Sequence, residues 1–131
     1  MIKSILNKLW KTEGQENIAT PTDQKAKFVL IYDGSTIGYL TLENGIWKFR
    51  YSEEYQKKPI VLPIVDFPNI MIEYANKNLW PFFSYRIPGL NQPAVKNIIK
   101  KESIDENNEV ELLKKFGEYT IYNPYKLEYA N

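Results

Sequence analysis

Carboxylates, hydroxyls and lysines are the side chains left to do acid–base or nucleophilic work in this 131-residue chain, because it contains no histidine and no cysteine. Histidine is the usual general base near neutral pH and the commonest metal ligand. Ser-His-Asp, Cys-His and histidine-built zinc sites are therefore excluded. Paired carboxylates remain conceivable, yet the acidic residues fall mostly in helical charge runs such as 102–111, which read as solvated faces. Asp33 and Asp66 have turn chemistry as a sufficient explanation. There is no G-x-x-x-x-G-K-[ST] or G-x-G-x-x-G loop to cradle a phosphate and no His-Arg-Asp catalytic loop. The expectation is a protein that is not an enzyme and needs no cofactor and no metal.

The most unusual stretch is the block 79–88, Leu-Trp-Pro-Phe-Phe-Ser-Tyr-Arg-Ile-Pro, with four aromatics and two prolines in ten residues. Together with the missing catalytic side chains, it points to a protein that works by presenting a surface. Aromatic residues make up 15% of the chain and ten tyrosines supply most of them. A tyrosine buries a large ring and keeps a polar tip, so it serves cores and interfaces alike.

Formal charge is +1, from 17 basic and 16 acidic residues, which gives no strong field for nucleic acid or an anionic membrane. A single-strand nucleic-acid site would combine aromatic platforms with a basic groove. On 46–51, however, Trp47, Phe49 and Tyr51 alternate with Lys48 and Arg50, so rings and charges point to opposite faces. The absence of cysteine excludes a disulfide framework and thiolate metal sites and fits a reducing cytoplasm. No apolar run approaches the ~20 residues of a membrane span, and the N-terminus lacks the pattern of a signal peptide.

These side chains need a scaffold. Residues 1–11 place Ile2, Ile5, Leu6, Leu9 and Trp10 at helical spacing, with Lys3, Lys8 and Lys11 elsewhere, an amphipathic helix of about three turns. Such a helix is marginal alone, so its stripe docks either on its own domain or on a partner. Residues 12–24 read as a polar linker, and a domain follows over 25–131. Apolar runs at 28–32, 36–42 and 46–51 are separated by Asp33-Gly34 and Asn44-Gly45, the strongest short hairpin signals. They form a three-stranded antiparallel meander. Residues 52–58 read as a helical turn or loop. Segment 59–68 holds three prolines among apolar residues and reads as a bent edge strand; 69–76 is either a loop re-entering the sheet or a helical turn. Residues 79–87 read as a short helix with Pro81 in its first turn. A second begins near 91–93 with the stripe Ala94, Val95, Ile98 and Ile99. A third is capped by Ser103 with Glu106 or by Asn108 with Glu111; it buries Val110, Leu112, Leu113 and Phe116, and Gly117 is its C′ residue. Residues 120–122 and 125–127 read as short strand ends. The expected class is α+β: a small antiparallel meander or partial barrel packed with three short helices, plus the N-terminal amphipathic helix.

In order along 28–127, several short patterns resemble the N-terminal subdomain of the HipA-type serine/threonine kinases. They are Ile37-Gly38-Tyr39-Leu40, then Gly45 with Phe49-Arg50-Tyr51, then Ser52-Glu53-Glu54-Tyr55, then Pro59-Ile60-Val61-Leu62-Pro63. Pro81-Phe82-Phe83-Ser84-Tyr85-Arg86-Ile87-Pro88 and Leu112-Leu113-Lys114-Lys115-Phe116-Gly117 complete the set. No element is specific alone; the ordered set is. The chain departs from the family pattern in its segment before Phe28, at Tyr85-Arg86-Ile87-Pro88, and at Glu118-Tyr119-Thr120-Ile121-Tyr122, which lacks the glycine-rich step towards the kinase core. The resemblance implies the subdomain made as its own protein, similar to the HipS-like antitoxin of split HipBST-type toxin–antitoxin systems. Such a protein binds a HipT/HipA-like kinase chain and blocks it, with a HipB-like helix-turn-helix protein as a further partner.

On that basis the expected partner-binding residues are Trp80, Pro81, Phe82 and Arg86. Trp80 sits at a helix start, where a large ring can project, and tryptophan anchors often dominate interface energy; its plain alternative is a place in the core. Arg86 is expected to reach an acidic patch or a phosphate. Two other functions compete: a non-inhibitory scaffold subunit of the same kinase complex, and a single-stranded nucleic-acid binder.

Overall fold

The computed structural model describes residues 14–130. The N-terminal amphipathic helix expected over 1–11 lies outside the described residues. Among the described residues the architecture is α+β: one five-stranded antiparallel sheet with four short helices.

Strands β1 (Ala26–Tyr32), β2 (Ser35–Glu43) and β3 (Ile46–Tyr51) form the expected meander. Asp33, Gly34, Asn44 and Gly45 all have positive φ, of 48°, 78°, 53° and 75°. That is the type I′ geometry whose twist matches the flanking strands. Strand β3 buries Trp47, Phe49 and Tyr51 and turns Lys48 and Arg50 to the open face. Phe28 and Leu30 of β1 and Leu40 and Leu42 of β2 lie on the same buried face. The sheet order is β4-β3-β2-β1-β5, with β4 (Tyr74–Asn76) and β5 (Lys126–Ala130) at the edges.

Helix α1 (Glu53–Lys57) is capped by Ser52 and buries Tyr55. Helix α2 (Pro81–Ser84) buries Phe83. Helix α3 (Pro93–Lys101) buries Val95 and Ile99, while Ala94 stays exposed. Helix α4 (Glu109–Phe116) buries Val110, Leu112 and Leu113. Of the two possible caps, Asn108 is the one used: its Oδ1 accepts from the N–H groups of Val110 and Glu111 at 2.9 and 3.2 Å.

Several expectations are corrected. Segment 59–68 is irregular; Pro59, Pro63 and Pro68 remove too many ladder donors, and the edge strand is supplied by Tyr74–Asn76. The expected strand end at 120–122 is also irregular, and the last strand runs Lys126–Ala130 against β1. The helix expected over 79–87 is a single turn, prolonged by tighter bonds from Arg86 N–H to Phe83 O and from Ile87 N–H to Ser84 O. Gly117 is not left-handed: its φ is −89°. It must be glycine because a Cβ there would stand 2.4 Å from the Leu113 carbonyl oxygen. Finally, the described part of the linker packs on the domain. Buried Gln15 donates from Nε2 to Ile87 O and Pro88 O at 3.0 and 2.7 Å. Ala19 bridges to Asn108, and Thr20 Oγ1 donates to Glu109 Oε1 at 2.6 Å.

Candidate protein-docking surface

The irregular segment 59–68 and the irregular stretch 117–125 face each other across α2. Irregular backbone inside a domain needs hydrogen-bond partners, and in both segments buried side chains provide them. Tyr51 Oη donates to Phe67 O at 2.7 Å and accepts from Ile64 N–H at 2.9 Å. Tyr55 Oη donates to Val61 O at 2.6 Å. Burial holds both phenols above their ordinary pKa, so each stays a neutral donor. Three contacts thus hold the first segment to strand β3 and helix α1.

Arg86 does the same for the second segment. It is 4% exposed. Nη1 donates to Gly117 O at 2.9 Å and to Glu118 O at 3.4 Å. Nη2 donates to Asn123 Oδ1 at 3.1 Å and to Tyr125 O at 2.9 Å. The guanidinium therefore ties together both ends of the 117–125 stretch. Desolvation lowers its pKa to about 10, still far above neutrality, so it remains a cation. The expectation that Arg86 reaches outward to a partner's acidic patch or phosphate is corrected: its donors point into the domain.

Between the two segments lies a groove of about 540 Å³. Its floor is Pro81, Phe82 and Tyr85 of the α2 region; one bank carries Leu62, Val65 and Asp66, the other Tyr122 and Tyr125. The floor is stiff. The Phe82 ring meets Phe83 at 5.1 Å and Tyr125 at 5.5 Å, both edge-on. Among the described residues, Asp66 is the one charged residue in the lining. The banks carry large apolar side chains in open water: Leu62 is 86% exposed, Val65 92% and Tyr122 71%. Scattered apolar residues are ordinary on a surface, but a contiguous set around a concave floor marks an interaction site.

Of the four residues expected from sequence, Pro81 and Phe82 lie in the groove floor. Trp80 is half-buried, with its ring edge-on to Phe67 at 5.0 Å. It neighbours the floor without lining it. Sequence reasoning missed Leu62, Val65 and Tyr122. The available signal was apolar residues in segments that their prolines, or their place beyond a helix-ending glycine, keep out of regular structure.

The open face of the sheet is different in kind. Tyr39 stands there between Lys27 and Arg50, with cation-to-ring distances of 4.8 and 4.7 Å. Trp47, Phe49 and Tyr51 are in the core, so that face offers no row of free rings for bases to stack on. Among the described residues, no group of three or more carboxylates could hold a metal ion. No helix there is long and apolar enough to cross a membrane.

Comparison with known proteins bears on what such a surface serves. No curated protein matches the chain. The family model for the HipA N-terminal domain, a family that points to HipA-type toxin–antitoxin systems, matches residues 29–121, and the chain belongs to that family.

Proposed function

We propose that this protein is an antitoxin-like binding protein that docks on a HipT/HipA-type serine/threonine kinase and neutralises it, without catalysis of its own. Its place of action is the cytoplasm, and a HipB-like helix-turn-helix protein is a further member of the complex. The observation that carries this reading is the apolar groove that the described residues form at Leu62, Val65, Phe82, Tyr85 and Tyr122. It lies on a member of the HipA N-terminal domain family whose sequence lacks histidine and cysteine. Burying such a groove against a partner's apolar segment is favourable by roughly 25 cal/mol per Å² of apolar surface removed from water. Pro81 and Phe82 would make contact in the floor and Trp80 at its edge. Arg86 contributes by holding one bank in place.

Co-expression tests it. The kinase chain alone should arrest growth, and this protein should restore it. Leu62→Glu/Val65→Glu changes two exposed side chains, so the variant should fold and melt like wild type yet fail to restore growth. Full rescue by that variant would remove the groove from the account. Failure of the wild-type protein to rescue, with binding retained, would favour the non-inhibitory scaffold.

A further inference from the structure

Rings, a fixed donor and an acid meet in the lining of the groove. Tyr85 and Tyr122 are exposed, with ring centroids 6.4 Å apart and planes at 59°, and Phe82 lies on the floor beside them. Asn123 also lines the groove. Its Oδ1 accepts from Arg86 Nη2 and from Tyr125 N–H, each at 3.1 Å. Both partners are donors, so the amide has one orientation and Nδ2 is the end left to donate. Among the described residues Nδ2 has no hydrogen-bond partner. Asp66, on the opposite bank, makes no ion pair among the described residues.

These features argue against two common ways of taking a peptide. Strand addition needs a run of free backbone donors, and both banks are interrupted. In one, Pro63 has no N–H and Ile64 N–H is held by Tyr51 Oη. In the other, Tyr122 N–H goes to Thr120 Oγ1, Pro124 has no N–H, and Tyr125 N–H is held by Asn123. A helix bonds its own carbonyls, so it would cover Asn123 Nδ2 and leave a buried donor unpaired. A polyproline II segment has no internal hydrogen bonds. Its carbonyls are free to accept from Nδ2, and its proline rings pack on aromatic walls. It is also stiff before it binds, so little freedom is lost on docking. We propose that the groove takes a proline-rich segment of its partner in this conformation, with a lysine or arginine of the segment set against Asp66. The proposal rests on the groove being the docking surface and adds the class of ligand it reads.

Three synthetic peptides test it: decaproline flanked by arginines, decaproline flanked by glutamates, and a glycine–serine decamer flanked by arginines. Each is titrated into the isotope-labelled full chain. The arginine-flanked decaproline should shift the backbone amides of Val65, Tyr85 and Tyr122 and leave Val29 on the open sheet face unmoved. The glutamate-flanked decaproline should bind about fivefold more weakly or worse, and the glycine–serine decamer at least about tenfold more weakly. Asn123→Asp keeps an oxygen for Arg86 and Tyr125 but exchanges the donor for an acceptor. It should melt like wild type and bind the arginine-flanked decaproline at least about tenfold more weakly. Asp66→Lys changes an exposed side chain and should reverse the preference between the two decaprolines. No shift with either decaproline, equal binding of the glycine–serine decamer, or a charge preference that Asp66→Lys leaves unchanged would overturn the proposal. If Leu62→Glu/Val65→Glu abolishes docking of the kinase chain but the decaprolines do not bind, the ligand class fails and the docking surface stands. If the decaprolines bind in the groove and the kinase chain does not, the ligand class stands and the function proposed above falls.

Discussion

Arg86 and Gly117 meet at 2.9 Å, guanidinium Nη1 to carbonyl oxygen, deep beside the end of helix α4. The contact joins two positions that the sequence offers for other reasons, one as a cation near an aromatic cluster and one as a helix stop. It makes Arg86 the internal brace of the 117–125 bank. Arg86→Met should therefore lower stability by about 3 kcal/mol or more, because it leaves buried carbonyls without donors. Arg86→Lys should recover only part of that loss, since an ammonium cannot reproduce the planar fork. Urea unfolding of the three proteins checks this. Near-wild-type stability of Arg86→Met would show that the brace is idle.

The same corner makes Gly117 intolerant of a methyl group. A Cβ would lie 2.4 Å from Leu113 O and 2.7 Å from Leu113 Cδ1. Gly117→Ala should cost about 1–3 kcal/mol as overpacking. Gly34→Ala, where the added Cβ meets nothing within 4 Å, should cost only the strain of a positive φ. Thermal melts of both variants distinguish crowding from backbone strain.

Tyr51 gives a pH signature. Its phenol is held above its ordinary pKa of 10.0 mainly by desolvation, so the folded state keeps its proton more tightly than the unfolded state does. That contribution to stability is complete below about pH 10 and is lost as pH rises above it, because the unfolded state ionises first. Tyr51→Phe should be less stable at neutral pH by about 2 kcal/mol from two lost hydrogen bonds. Above pH 10 its stability should fall less steeply than that of wild type, by up to about 1.4 kcal/mol per pH unit. Parallel pH profiles from urea titrations would show that the phenol is not protected.

Trp80 has two jobs that substitution can separate. Trp80→Ala removes the edge-on contact with Phe67 and should cost about 2–3 kcal/mol of folding stability. Trp80→Phe keeps an aromatic ring on Phe67 and should retain most of that stability. If Trp80 also meets the kinase chain at the groove's edge, both variants should weaken binding, Trp80→Ala by about 2 kcal/mol. Unchanged binding and inhibition by Trp80→Ala would leave this tryptophan a core residue only.

Much of the fold was legible because local chemistry and tertiary structure agree in the first half of the domain. Asp33-Gly34 and Asn44-Gly45 can supply positive φ, and the Trp47-Phe49-Tyr51 alternation has one buried face to choose. The candidate site was only half legible. Pro81 and Phe82 announce themselves as a helix start with an aromatic, and they do lie in the groove floor. The banks are built from segments without periodicity, so no spacing marks Leu62, Val65 or Tyr122 as neighbours. Their proximity depends on side-chain bonds from Tyr51, Tyr55 and Arg86 to backbone carbonyls, those of Tyr51 and Arg86 reaching 16 to 39 residues along the chain. Arg86 misled for the same reason: a charged residue is almost never fully buried unless partnered, and its partners lie more than thirty residues away along the chain.

A kinase chain that docks on this protein is proposed to sit in the groove between Leu62 and Tyr122. The most direct test is the affinity of the purified kinase chain for wild type, for Leu62→Glu/Val65→Glu, and for Arg50→Glu on the open sheet face as a control. The groove variant should lose at least about 2 kcal/mol, roughly 30-fold in Kd, and the control should change little. Equal affinity of the groove variant and wild type, or a loss confined to Arg50→Glu, would contradict it.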